Sequence, residues 1–288
     1  MLCLLRGCSR FSSSFLPFLP PQTLKKVMIG TSQFTTFIFL DLETTGLRKP
    51  VEITELCLVA VERGHIIEGT KTKTIPRLID KLTTCVRPTK EIEPFASSVT
   101  YLSNEDLEKK RGFDIEHGRI VKSFIMRQPQ PVCLVAHNGD QFDFKILISH
   151  LGDVGITLPE SVHASDSLKA FRKQHKEEKY DTSNNTAEAG GKRKRFSCSL
   201  SNLFSTFVGG EFENAHSAEG DALALLRLVI HKPDVLGHLE SGSHKLSVSC
   251  QNGAENSVKN SFKVALDEKD INQVQDEYLS QLEKEGLF

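Results

Sequence analysis

Between residues 36 and 240 two spacings of apolar positions alternate along the chain. Short runs rich in β-branched and aromatic residues occupy 37–42, 51–61, 81–86 and 132–136, and each reads as a strand. Apolar residues at intervals of three and four mark helices over 115–126, where Ile120, Val121, Phe124 and Ile125 share a face, and over 142–151 and 218–230. Ser103-Asn104-Glu105-Asp106 supplies a cap residue with an acid three positions on, a helix start. Pro88 closes the third strand, and Pro129 and Pro131 separate the 115–126 helix from the fourth. Strands alternating with helices predict an α/β fold, a mixed central sheet flanked by helices.

Three segments depart from this rhythm. Residues 1–33 form a leader without acids: the first acidic residue is Asp41, and before it stand Arg6, Arg10, Lys25 and Lys26 with Ser12, Ser13 and Ser14. Such a start resembles a mitochondrial transit peptide; the plainer readings are a disordered leader or sequence upstream of a second start at Met28. Residues 175–195 are polar and hold Asn184-Asn185, Gly190-Gly191 and Lys192-Arg193-Lys194-Arg195, which reads as a mobile basic loop inside the domain. Residues 241–288 are a polar tail whose end places Ile271, Val274, Tyr278 and Leu282 at spacings of three and four, the pattern of an amphipathic docking helix or, more commonly, of a marginal helix on a disordered tail. The expected domain is therefore 34–240.

Composition narrows the function. A formal net charge of -1 excludes binding to nucleic acid by bulk charge alone, while leaving a local basic patch open. No apolar run approaches the roughly 20 residues of a membrane helix, so no span is expected. The 7 cysteines are scattered, and no Cys-x-x-Cys pair offers a zinc site. This usage fits a reducing compartment, nucleus or cytoplasm.

The chemistry lies in three acidic motifs. Asp41-Leu42-Glu43-Thr44-Thr45-Gly46-Leu47 ends the first strand, and residues two apart on a strand share a side, so Asp41 and Glu43 project together. His137-Asn138-Gly139-Asp140-Gln141-Phe142-Asp143-Phe144 follows the fourth strand and opens a helix, which places Asp143 in a first turn. His216-Ser217-Ala218-Glu219-Gly220-Asp221 opens another, with Asp221 in its first turn and His216 ahead of it. Taken singly, each has a plain structural reading: a surface pair, a helix cap, a capping histidine. Together they supply four carboxylates and one histidine. Hard oxygen donors suit Mg2+ or Mn2+. Two such ions about 3.5–4 Å apart clamp the attacking and leaving oxygens of a phosphoryl displacement, and a histidine can take the proton of the attacking water.

Asp41 with Glu43, Asp143, and His216 with Asp221 resemble the three motifs of the DEDDh exonuclease superfamily. The strings 41–47, 127–131 (Arg-Gln-Pro-Gln-Pro), 134–140 and 215–221 resemble more narrowly the three-prime repair exonucleases (TREX) of animals. The resemblance runs from about residue 36 to 239 and implies a ribonuclease H-like fold, a homodimer and removal of nucleotides from DNA 3′ ends. It implies Asp41, Glu43, Asp143 and Asp221 as ligands of two Mg2+ ions, which Mn2+ can replace, and His216 as general base. Glu43, Thr44, Gly46 and Leu47 would hold the 3′-terminal nucleotide of a single strand or frayed duplex. Phe142 would pack on its sugar or base, the alternative being core packing. Asp166 would support the site without ligating. Lys192, Arg193, Lys194 and Arg195 would contact DNA, and the strand at 81–87 would pair two copies. An RNA exonuclease or a polymerase proofreading subunit shares the catalytic motifs. An inactive nucleic-acid-binding protein on the same fold is the reading of a different class, and it is disfavoured because all five residues are present.

Overall fold

A computed structural model of the 288-residue chain describes residues 33–183 and 197–246. The leader, the basic run Lys192 to Arg195 and the expected helix of the tail lie outside them.

The first strand, β1 (Thr36–Thr44), is apolar on both faces because it is covered on both. Phe37 and Phe39 face one core and Ile38, Leu40 and Leu42 the other. The strand β2 (Ile53–Glu62) returns antiparallel to it, from Thr36 opposite Glu62 to Glu43 opposite Glu55. The helix α1 (Arg63–Thr72) leads to β3 (Asp80–Cys85), antiparallel to β2 and forming one edge of the described sheet. Two short helices follow, α2 (Pro94–Thr100) and α3 (Asn104–Leu107), the latter opened by the capping box expected at Ser103 and Asp106. Asp114 caps α4 (Ile115–Met126), and β4 (Val132–Ala136) then runs parallel to β1. The helix α5 (Asp143–Asp153) carries the chain to β5 (His163–Asp166), parallel to β4. After α6 (Ser167–Ser183), α7 (Leu200–Phe207), α8 (Ala218–His231) and α9 (Val235–Ser241), a two-residue strand β6 (His244–Lys245) pairs antiparallel with β5. The strand order is β3-β2-β1-β4-β5-β6, a mixed sheet with helices on both faces.

The two faces are closed by different helices. On one, Phe37, Phe39, Cys57 and Val59 meet Ala222, Leu225, Leu226 and Val229 of α8. Those positions recur at three and four, and the small Ala218 and Ala222 leave room for α8 to lie close to β1. On the other, Ile38, Leu40 and Leu42 meet Val121 and Ile125 of α4 and Phe144, Leu147 and Leu151 of α5.

Two expectations need correction. The segment 175–183 is not loop but the second half of α6. Ala170, Phe171 and Gln174 are buried at helical spacing, while Lys176, Glu177 and Glu178 beyond them are charged and exposed. Good helix formers with no glycine or proline before Gly190 carry the helix past the point where apolar periodicity ends. Nor does ordered structure stop at 240. The N–H of Leu246 donates to the Val162 carbonyl at 3.0 Å, and its side chain joins the core, so β6 closes the sheet beyond the expected boundary.

Candidate active site

Pairing of β4 with β1 ends at Phe39 opposite Val135, so the last residues of β1 extend past their parallel neighbour. This open end is where sites assemble in α/β sheets. Asp41 and Glu43 stand there on the face that bears Phe37 and Phe39, toward α8. From α8, Asp221 comes to meet them: one carboxylate oxygen from each of Asp41, Glu43 and Asp221 lies within 4.8 Å of the others.

Asp143 arrives from the opposite layer as the first residue of α5. It is buried, and the backbone amides of Asp143 itself and of Leu42 lie where they favour its charged form. It stands outside the tight triplet but within electrostatic reach of Asp41 and Glu43.

All four carboxyls resist ionisation. Burial, and then the charges of Asp221, Asp143 and Glu43, push Asp41 well above the usual carboxylate range. Burial followed by Asp221, Glu55 and Asp143 does the same to Glu43. Burial raises Asp143 to about 7 against the pull of its two amide donors, with Asp166 and Asp221 adding to the rise. Asp221 is raised to about 7 by burial, against the His216 amide and with the Glu55 charge behind it. The charges that dominate this set are other carboxylates, not lysines or arginines. A converging set of hard oxygen donors in mutual repulsion fits divalent cations of the Mg2+ or Mn2+ kind.

The turn before α8 is tightly specified. Asn214 and His216 both take left-handed backbone conformations, φ 56 and 63, which residues with a side chain adopt seldom and at a cost. The His216 N–H donates to Asp221 Oδ1 at 3.1 Å, so the two motif residues are tied directly. Ser217 caps the helix: its Oγ accepts from the Gly220 N–H at 3.1 Å and donates to the Asn214 carbonyl at 2.8 Å. A Cβ on Gly220 would lie 1.9 Å from that carbonyl oxygen, which explains the glycine.

The loop after β1 is equally fixed. Thr44 Oγ1 donates to the Gly46 carbonyl at 3.2 Å, the Thr45 N–H to the Glu52 carbonyl and the Glu93 N–H to the Thr45 carbonyl. Gly46 has φ 125, and a Cβ there would lie 2.3 Å from the Glu93 carboxyl carbon. Leu47 and Phe142, neighbours in sequence of the motif residues, line a cleft of about 620 Å³ with Lys49, Lys145, Phe113 and His150; none of the four carboxylates is among its lining residues. Phe142 is half-buried and walls this cleft instead of filling the core.

Asp166 is buried at the end of β5 and works on backbone. Its Oδ1 accepts from the N–H groups of Asn138 at 3.1 Å and Leu168 at 2.9 Å, which pins the loop before Asp143 to the start of α6. It is no member of the close carboxylate group. Nearby, His137 links Ser167 Oγ and the Cys198 carbonyl, each at 2.9 Å. Burial pushes its imidazole down to about 4, against the pull of the Cys198 carbonyl, so it stays neutral.

The sequence did not single out Glu55 or the partners of Glu219. Glu55 Oε2 accepts from the Ala218 N–H at 2.8 Å. The Glu219 carboxylate is held by Lys81 and by Thr83 Oγ1, the latter at 3.0 Å.

Residues 38–229 match the family model described as Exonuclease, RNase_T. Over 204 residues the chain is 38% identical to Three prime repair exonuclease 2 of Homo sapiens, covering 68% of this chain and 83% of that one. Over 213 residues it is 36% identical to Three-prime repair exonuclease 1 of Homo sapiens, covering 70% and 65%. Among solved structures it superposes on E. coli Exonuclease I in complex with a dT13 oligonucleotide with a TM-score of 0.52 at 16% identity, over 71% of this chain and 43% of that one. It superposes on the nuclease domain of 3'hExo, a DEDDh family member bound to rAMP, with a TM-score of 0.50 at 14% identity, over 70% and 94%. These two likenesses establish the ribonuclease H-like fold. With its family match and with relatives this similar over most of its length, the chain belongs to the exonuclease family, among the three prime repair exonucleases.

Proposed function

We propose that this protein hydrolyses DNA from its 3′ end, releasing nucleoside 5′-monophosphates one at a time. The observation that carries this is the meeting of Asp41, Glu43 and Asp221 within 4.8 Å, with His216 tied by its amide to Asp221. Asp41, Glu43, Asp143 and Asp221 would hold two Mg2+ ions, or Mn2+. Bound there, such ions supply charge neutralisation for the scissile phosphate and for the attacking and leaving oxygens.

The chain's own residues do the remainder. His216 accepts the proton of the attacking water, the general-base role open to an imidazole. Thr44, Gly46 and Leu47, on a loop with no slack, position the terminal nucleotide beside Glu43. Leu47 and Phe142, both lining the cleft, would present apolar surface to base and sugar, which favours an unpaired end over an intact duplex. Lys192, Arg193, Lys194 and Arg195 contact phosphates upstream. The edge strand β3, whose outer backbone groups have no partner strand in the described sheet, is the proposed line of pairing between two copies. The reducing-compartment cysteine usage supports a nuclear or cytoplasmic site of action.

The test is digestion of a 5′-labelled DNA and its RNA counterpart, with and without Mg2+. The proposal expects a ladder shortening from the 3′ end on DNA, only with metal, and abolished by Asp41→Asn. Internal cuts, metal-independent cleavage or an active Asp41→Asn enzyme would overturn it.

A further inference from the structure

We propose that Glu55 is a positioning residue of the hydrolytic site: its carboxylate holds the first turn of α8 against the sheet, so that Asp221 and His216 meet Asp41 and Glu43. The inference rests on the assignment of those four residues to hydrolysis.

The register places Glu55 directly opposite Glu43, on the same face of the sheet. Like charges so placed work against strand pairing, so a second carboxylate here needs an offsetting partner. One step on, the pairing slips: Thr44 stands opposite Ile53 and Thr54 is the extra residue, a bulge of the kind that re-aims a neighbouring side chain.

The offset is a backbone N–H at the start of α8. Glu55 Oε2 accepts from Ala218, the first residue of that helix and 163 positions away, at 2.8 Å. The amide is one of the four at a helix start with no partner within the helix, and the positive end of the helix favours a carboxylate. Ala218 is fully buried, so water cannot replace this acceptor.

The other bonds around this turn are local. The His216 N–H goes to Asp221, the Ser217 N–H to the Asn214 carbonyl, the Gly220 N–H to Ser217 Oγ and the Asp221 N–H to the Ser217 carbonyl. They give the turn its shape but say nothing about where it sits. Among these backbone donors of residues 216–221, Ala218 alone is bound by the sheet that carries Asp41 and Glu43. Lys81 and Thr83 add a side-chain tie through Glu219. Glu55 itself is outside the close group of Asp41, Glu43 and Asp221, and its Oε2 is already engaged by the Ala218 N–H.

The experiment compares Glu55→Gln with Glu55→Ala on a 5′-labelled single-stranded oligonucleotide, with kcat, KM and the Mg2+ concentration for half-maximal rate read separately. Gln keeps an oxygen for the Ala218 N–H; Ala leaves it bare. A displacement of about 1 Å at a catalytic group costs on the order of 10²-fold in rate. Glu55→Ala is therefore expected to lose roughly 10–100-fold in kcat with KM little changed. Glu55→Gln should stay within a few-fold of wild type in both kcat and Mg2+ requirement. Equal loss in both variants, or a raised Mg2+ requirement in both, would assign Glu55 to charge or ligation and overturn the inference, as would a fully active Glu55→Ala. A second measurement is independent of activity. Amide hydrogen exchange over 214–221, which follows directly from the Ala218 bond, should speed up in Glu55→Ala and not in Glu55→Gln. Unchanged protection in the alanine variant refutes the positioning role. An inactive wild type with this exchange pattern intact would instead refute the nuclease reading alone.

Discussion

Gly220→Ala sets two effects against each other. On helix propensity alone the change should stabilise α8, since alanine is favoured over glycine by roughly 1 kcal/mol within a helix. The local geometry opposes it. A Cβ at residue 220 would lie 1.9 Å from the Asn214 carbonyl oxygen and 2.7 Å from its carbon, where ordinary contact begins at 3.4 Å. The difference, 3.4 − 1.9, requires a separation of about 1.5 Å between two pieces of backbone, neither of which can swing aside as a side-chain tip would. The same carbonyl accepts from the Ser217 N–H and Ser217 Oγ, so moving it strains both bonds and disturbs the left-handed turn that holds His216. Steric displacement wins. Overpacking of this kind costs about 1–3 kcal/mol, a drop of roughly 2–12 °C in Tm for a domain of this size. A shift of about 1 Å at a catalytic group costs on the order of 10²-fold in rate. Melting followed by circular dichroism and kcat on a 5′-labelled oligonucleotide measure the two effects. A Gly220→Ala protein with wild-type Tm and wild-type kcat would refute the argument that the turn is set by this contact.

Three further expectations follow from the site. His216→Ala should lower kcat by about 10²–10⁴-fold while DNA affinity, measured by fluorescence anisotropy in Ca2+, is retained; a parallel loss of affinity would make His216 structural. Asp143 and Asp221, raised to about 7, take up protons on folding across the interval from their usual 3.8, so their contribution to metal-free stability falls as pH rises from about 4 to 7. Cations that relieve the repulsion should then raise Tm more at pH 7.5 than at pH 5, and an equal gain at both would contradict the electrostatic account. Replacing Lys192, Arg193, Lys194 and Arg195 with alanine should weaken DNA binding and flatten its salt dependence, leaving hydrolysis of a nucleotide p-nitrophenyl ester nearly unchanged; an intact salt slope would remove these residues from the phosphate path.

What the sequence disclosed follows from which signals are local. Asp41 and Glu43 were placed together by the two-residue period of a strand, and Asp143 and Asp221 by their positions at helix starts; the structure brings Asp41, Glu43 and Asp221 into one group with Asp143 beside it. The second half of α6 escaped notice because Lys176, Glu177 and Glu178 are charged and exposed, so the apolar period breaks off there. The strand β6 escaped because two residues ending at a single buried leucine make no pattern. Glu55 was hidden for another reason. A lone acid within an apolar strand carries no local sign of its role, and its importance depends on a register with β1 and a bond to Ala218, both non-local. The link from Glu219 to Lys81 and Thr83 spans more than a hundred positions and has no signature in either segment.

The placement of β1 between two helical layers also bears on how the protein is made. Asp41 and Glu43 are synthesised early, Asp143 a hundred residues later and Asp221 later still, from the helix that closes the opposite layer to α5. A nascent chain released before residue 216 leaves Phe37 and Phe39 without the apolar face of α8, lacks both His216 and Asp221, and leaves the Glu55 carboxylate with no helix to cap. Interrupted translation therefore yields a sticky, incompletely folded fragment fit for degradation, not a partly active nuclease at large among the cell's own nucleic acids. The late helix that completes the core also completes the carboxylate group.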